Sequence, residues 1–117
     1  MNFDLATAAL GDGIFSVSVV GEVDLATAPE FKQALSDVTS SGARRVLVDL
    51  SNAAFIDSTT LGVLMGAVKR LRSGGGELTV VCPDPNVRKI FEITRLDRVF
   101  SIFDTTAAGL AYLHELS

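Results

Sequence analysis

Asp49-Leu50-Ser51-Asn52-Ala53-Ala54-Phe55-Ile56-Asp57-Ser58-Thr59-Thr60-Leu61-Gly62 is where one kind of periodicity gives way to another. Val46 to Leu50, running into it, is apolar except at Asp49, as expected of a central strand in an α/β sheet. Beyond it, Leu61, Leu64, Met65, Val68 and Leu71 or Arg72 recur at i, i+3, i+4 and i+7. That spacing predicts a helix from near Ser58 to about Ser73 with one buried face. Residues 51–57 are expected to form a short loop between the two. Asp57 and Ser58 sit where the period changes, so either side chain can accept from the free N–H groups that open the helix. The hydroxyls of Ser58, Thr59 and Thr60 crowd that end. A helix N-terminus favours an anion through its dipole and free donors. Ser58 is therefore expected to be a phosphorylation switch on a protein-binding surface.

Upstream, Gly11-Asp12-Gly13 has turn composition and joins residues 3–9 to residues 13–20 as an antiparallel hairpin. Phe15, Val17 and Val19 alternate with Ser16 and Ser18, the period of a half-buried strand. Residues 21–26 are expected as a loop. Thr27-Ala28-Pro29-Glu30 has capping-box spacing, with Thr27 as N-cap and Pro29 in the tolerant first turn. Phe31, Ala34, Leu35 and Val38 form the buried stripe of this first helix, and Ser40-Ser41-Gly42 ends it.

Downstream, Gly74-Gly75-Gly76 reads as a flexible connection. A phosphate-cradling loop would need Gly-Lys-Ser/Thr before a helix, whereas Glu77-Leu78-Thr79-Val80-Val81 is a strand pattern. Asp84 caps and Pro85 opens a third helix with Val87, Ile90 and Phe91 on its apolar face. Val99 to Phe103 is expected as a last strand, and Asp104 as the cap of a helix carrying Leu110, Ala111 and Leu113. From residue 45 onward strand and helix alternate, which makes a largely parallel sheet with right-handed crossovers.

The 117 residues fit one compact domain, and 48% apolar with 21% charged residues is ordinary for a folded globular chain. A net charge of −4 with scattered basic residues, densest at Lys69, Arg70 and Arg72, argues against a nucleic-acid binder. The single cysteine, Cys82, excludes an internal disulfide; it is expected as a core filler in a reducing compartment. No run approaches the ~18 apolar residues of a membrane span, and Met1-Asn2-Phe3-Asp4 lacks the start of a secretion signal. The expected location is the cytoplasm.

An enzyme is poorly supported by the side chains available. The one histidine, His114, is far in sequence from Ser58, and the nucleophile-elbow pattern Gly-x-Ser-x-Gly is absent. No Cys/His group has metal-ligand spacing, so neither metal nor cofactor is expected. Asp49 and Asp57 are better explained as loop and cap residues. The exposed side of the second helix carries Thr59, Gly62, Val63, Gly66 and Arg70. Glycine inside a helix costs about 1 kcal/mol relative to alanine, so Gly62 and Gly66 need a reason. One is close packing against a neighbour in the same domain; the other is a flat face on which a partner protein lies close to the backbone.

Phe55-Ile56-Asp57-Ser58-Thr59-Thr60-Leu61-Gly62 resembles the Asp-Ser-Ser/Thr-Gly-Leu-Gly segment of anti-sigma factor antagonists, which are STAS domains. Gly21-Glu22-Val23-Asp24-Leu25-Ala26-Thr27-Ala28-Pro29 resembles that family's Gly-Glu-Leu-Asp-x-x-Thr-Ala loop. The likeness covers essentially the whole chain, 1–117, and departs at Thr60, where the family usually has glycine. It implies a single α/β STAS-like domain: an N-terminal β-hairpin joined to a mainly parallel mixed sheet of about five strands, with about four helices. It further implies binding to an anti-sigma factor that is a GHKL-type serine kinase, release of a sigma factor, phosphorylation of Ser58, and reversal by a PP2C-type phosphatase. The expected partner-binding residues are Asp24, Asp57, Thr59, Thr60, Leu61, Gly62, Val63 and Gly66. Two alternatives remain. One is a STAS subunit of a stress-sensing or lipid-transport assembly that is never phosphorylated. The other is a small nucleotide-binding protein or enzyme using Ser58 and the nearby aspartates.

Overall fold

Residues 3–116 are described by a computed structural model. Met1 and Asn2, which open the segment lacking a secretion-signal start, and Ser117, the end of the expected domain, lie outside the described residues. A mixed sheet runs in chain order: β1 (Phe3–Gly11), β2 (Ile14–Val23), β3 (Arg45–Ile56), β4 (Glu77–Val81) and β5 (Ser101–Phe103). β1 and β2 pair antiparallel as the expected hairpin, and the three remaining ladders are parallel. Four α-helices fall among the described residues: α1 (Ala28–Ser40), α2 (Ser58–Ser73), α3 (Pro85–Ile93) and α4 (Thr106–Glu115).

Alternation along β3 sorts these helices into layers. Val46, Val48 and Leu50 lie in one core with Phe31 and Leu35 of α1, Leu61 and Leu64 of α2, and Phe91 of α3. Leu47 points the other way, into a small second core with Ile14, Val81 and Leu113 of α4. Three helices therefore cover one face and α4 covers part of the other. Cys82 is fully buried in the larger core, and desolvation pushes its thiol up to about 11, so it stays protonated and inert.

Several boundaries differ from the sequence expectation. Residues 51–56 are strand, because β2 also extends into the expected 21–26 loop as far as Val23 and carries the ladder to Val23↔Ile56. Irregularities between Ser18 and Val20 and between Gly21 and Glu22 break the two-residue period, so the extension does not look like a strand in sequence. Thr27 occupies the N-cap position without capping through its side chain, so no capping box forms with Glu30. β5 begins at Ser101, since Leu96–Arg98 form a 3₁₀ turn that ends at Val99. Thr105, not Asp104, caps α4 by accepting from the Ala108 N–H, and Asp104 instead pairs with Arg88 at 2.8 Å. Ala111 is exposed; Gly109 lies against the sheet in its place, close to Leu47 and Val81.

The glycine run after α2 is a tight junction rather than a flexible one. The Gly76 N–H donates to the Leu71 carbonyl at 2.7 Å, and a Cβ on Gly76 would run into the Arg44 carbonyl oxygen. Gly62 and Gly66 contrast with it, since a Cβ on either meets nothing within 4 Å. Gly76→Ala is thus expected to destabilise by about 1–3 kcal/mol through backbone overpacking. Gly62→Ala and Gly66→Ala are expected to be neutral or stabilising by up to about 1 kcal/mol each. Chemical denaturation of the three variants checks both expectations.

Candidate functional site

The C-terminal end of β3 delivers its chain directly into α2, with Asp57 as the only residue between them. Asp57 is extended (φ −122°, ψ −176°), and its Oδ1 accepts from the Thr60 N–H at 3.2 Å. Asp57 is therefore the cap, and Ser58 is left as the first helical residue. Ser58 is exposed, and its hydroxyl makes no hydrogen bond with the described residues. The other first-turn N–H groups have no carbonyl one turn earlier to bind, so that end of the helix keeps donors for an incoming anion.

Thr60 is wholly buried, and its hydroxyl is shared between the Val23 carbonyl at 3.2 Å and Asp57 Oδ1 at 3.3 Å. The bond to Val23 joins the end of β2 to the first turn of α2, 37 residues apart. Its backbone needs no glycine, because the only non-glycine positive φ values among the described residues are at Asp12 and Arg95. Leu61 is buried as well. The side chains of Thr60 and Leu61, expected on the partner-facing surface, are thus part of the interior.

Immediately after Val23, Asp24 organises the neighbouring loop. Its Oδ1 accepts from the Ala26 N–H at 3.0 Å and the Thr27 N–H at 3.1 Å. The Thr27 hydroxyl accepts from the Asp24 N–H at 3.0 Å, and its single proton is placed between the Glu22 carbonyl at 3.0 Å and Asp24 Oδ1 at 3.2 Å. Asp24 and Asp57 are therefore both structural. The Val23–Thr60 bond brings their segments to the same end of the molecule.

From that end a trough runs between α1 and α2. Leu25, Ala28 and Pro29 line its apolar part, with a volume of about 350 Å³. Gly62, Gly66 and Arg70 line the continuation, about 300 Å³, and Lys32, Thr59 and Val63 belong to both parts. Close packing within the domain does not account for Gly62 and Gly66, since the space above both is open. Leu25 and Lys32 were not singled out from sequence. They sit on the loop before α1 and on its exposed side, and no periodicity discloses which helix will lie beside them. A second groove, about 380 Å³, lies across β3 at Phe55, Val87, Ile90 and Ile93.

Ser58 and His114 do not form a catalytic pair, because α2 and α4 pack on opposite faces of the sheet. No cluster of three or more His, Cys, Asp or Glu among the described residues could hold a metal ion. No described helix is long and apolar enough to cross a membrane.

A hairpin-led mixed sheet with a hydroxyl-bearing helix start at the end of β3 is the architecture of a STAS domain, and the family model for that domain matches residues 7–109. The anti-sigma-B factor antagonist of Staphylococcus aureus (strain NCTC 8325 / PS 47) is 32% identical over 106 residues, 91% of this chain and 97% of the relative. The crystal structure of an anti-sigma factor antagonist from Mycobacterium paratuberculosis superposes with a TM-score of 0.89 at 28% identity, over 97% of this chain and 95% of that one. The Bacillus cell fate determinant SpoIIAA, solved in its phosphorylated form, shares the fold with a TM-score of 0.71 at 18% identity, over 95% and 98% of the two chains. This chain belongs to the anti-sigma factor antagonist family of STAS domains.

Removing the Thr60 hydroxyl tests the tie between β2 and α2. Thr60→Val is expected to cost about 1–3 kcal/mol by leaving buried acceptors unpaired, and Asp57→Ala about 1 kcal/mol by uncapping α2. Ser58→Ala should stay within about 0.5 kcal/mol of the parent. Urea unfolding of the three variants measures all of these.

Proposed function

We propose that this chain is a phosphorylation-switched anti-sigma factor antagonist that works in the cytoplasm as a binding protein rather than an enzyme. In its unmodified form it binds an anti-sigma factor that is also a GHKL-type serine kinase, and so releases a sigma factor. The kinase transfers the γ-phosphoryl group of ATP to Ser58: the Oγ–P bond forms, the bond to ADP breaks, and the hydroxyl proton leaves to the kinase or solvent. A PP2C-type phosphatase hydrolyses the phosphoserine. Nucleic acid and membrane have no direct part.

The observation that carries this reading is that Ser58 is the exposed first residue of a helix already capped by Asp57, and its hydroxyl has no hydrogen bond among the described residues. A side chain without an internal task can be modified without disturbing the fold. Phosphate would add about −1.5 to −2 charges at pH 7. Placed next to Asp57 and on the side of the Asp24 loop, it concentrates negative charge on the docking surface and raises the cost of desolvating that surface when a partner binds. The partner-facing set is Asp24, Asp57, Thr59, Gly62, Val63 and Gly66 around Ser58, with Thr60 and Leu61 holding that surface from beneath. A relative 32% identical and named as an anti-sigma-B factor antagonist supports this choice over the transport-assembly and nucleotide-binding alternatives.

Incubation with the cognate kinase and ATP is expected to place one phosphate on Ser58, located by mass spectrometry, and Ser58→Ala should accept none. Ser58→Asp should weaken kinase binding with an unchanged thermal midpoint. Phosphate on another residue, or equal kinase affinity for Ser58→Asp and the parent, would overturn the assignment.

A further inference from the structure

We propose that the trough between α1 and α2 receives an acidic amphipathic helix of the partner protein, with its apolar side chain at the Leu25 end and its carboxylates on Lys32 and Arg70. This rests on the reading above that the Ser58 end of α2 is a partner-binding surface, and it adds the chemistry of the segment that docks there. The two parts of the trough share Lys32, Thr59 and Val63, so they form one continuous depression. Its first part is walled by Ala28, Pro29, Val63 and Leu25, and Leu25 is 76% exposed, the most exposed large apolar side chain among the described residues. Leu25 is not isolated there: with Ala28, Pro29 and Val63 it makes one apolar end to the depression, and such a patch fits an apolar side chain of a partner.

Charge names the rest of the occupant. The protein carries a net −4, yet no carboxylate lines either part of the trough, while Lys32 and Arg70 do. Both cations are exposed, and neither is in an ion pair among the described residues. Glycines at positions 62 and 66, one helical turn apart on the exposed side of α2, remove the side chains that would hold an incoming helix away. A helix seated in a groove needs an apolar anchor and matched charges at its rim. This trough offers an apolar end at Leu25, a stretch opened by Gly62 and Gly66, and two cations, Lys32 and Arg70, along it. Phosphate on Ser58, the residue before Thr59 of the lining, adds negative charge near the trough and so weakens the hold on an acidic occupant.

The test uses the full chain labelled with ¹⁵N and two synthetic helical peptides with leucines along one face, flanked by glutamates in one peptide and by lysines in the other. The glutamate peptide is expected to shift the amides of Lys32, Thr59, Gly62 and Gly66, with an affinity that falls as salt is raised. The double variant Lys32→Glu, Arg70→Glu should weaken it at least tenfold, whereas Lys89→Glu, at the Phe55–Ile93 groove, should not. Equal binding of the lysine peptide, shifts confined to Phe55 and Ile93, an unweakened double variant, or no binding of either peptide would each overturn the proposal. All substituted residues are exposed, and the ¹⁵N spectrum itself reports folding. Phosphorylation of Ser58 by the kinase is scored separately. Normal labelling with an inert trough defeats only this inference, and absent labelling with an active trough defeats only the switch.

Discussion

One hydroxyl joins the two segments on which the candidate site is built. Buried between the Val23 carbonyl and the Asp57 carboxylate, the Thr60 side chain ties the end of β2 to the start of α2. Asp57 is held where it caps the helix, Ser58 is left pointing to solvent, and the Asp24 loop leaves β2 from a fixed point. In the interior such a bond is costly to break, because water cannot replace the lost partner. The exposed serine is thus mounted on a rigid support. A rigid support suits a switch that acts by charge at a surface rather than by rearrangement of the core.

That support also explains the one departure from the family pattern at this segment. Thr60 stands where the family usually has glycine, and the helical backbone there accepts either residue. What threonine adds is the hydroxyl that reaches Val23. The open floor of the neighbouring trough depends on other glycines, Gly62 and Gly66, whose absent side chains serve nothing inside the domain. Gly76, by contrast, is required by the fold, because the Arg44 backbone occupies the space a side chain would need. Three glycines within fifteen residues therefore have two different causes.

Strongly periodic elements were legible in the sequence. The bounds of α2 and β4, the hairpin, and Asp84 and Pro85 opening α3 follow from spacing and caps alone. The β2–β3 extension was hidden because ladder irregularities erase the alternation that marks a strand. Thr27 departs from its sequence pattern for a different reason: a threonine three residues before a glutamate matches a capping box, but here the hydroxyl has closer partners behind it at Glu22 and Asp24. Hydroxyl identity at Ser58, Thr59 and Thr60 was evident, yet nothing local distinguishes the exposed first from the buried third. Their separation follows from the tertiary bond to Val23. The trough was invisible for the same reason, since it exists only once α1 and α2 lie side by side.

Phosphate at Ser58 is expected to change a surface while leaving the fold alone. Amide ¹H–¹⁵N spectra recorded before and after phosphorylation of Ser58 test this directly. The predicted result is a set of shifts restricted to residues 22–27 and 57–66, with the central strands at Val46–Leu50 and Leu78–Val81 unmoved. Shifts spread through those strands would contradict it, because the phosphate would then be acting through the core that Thr60 is held to protect.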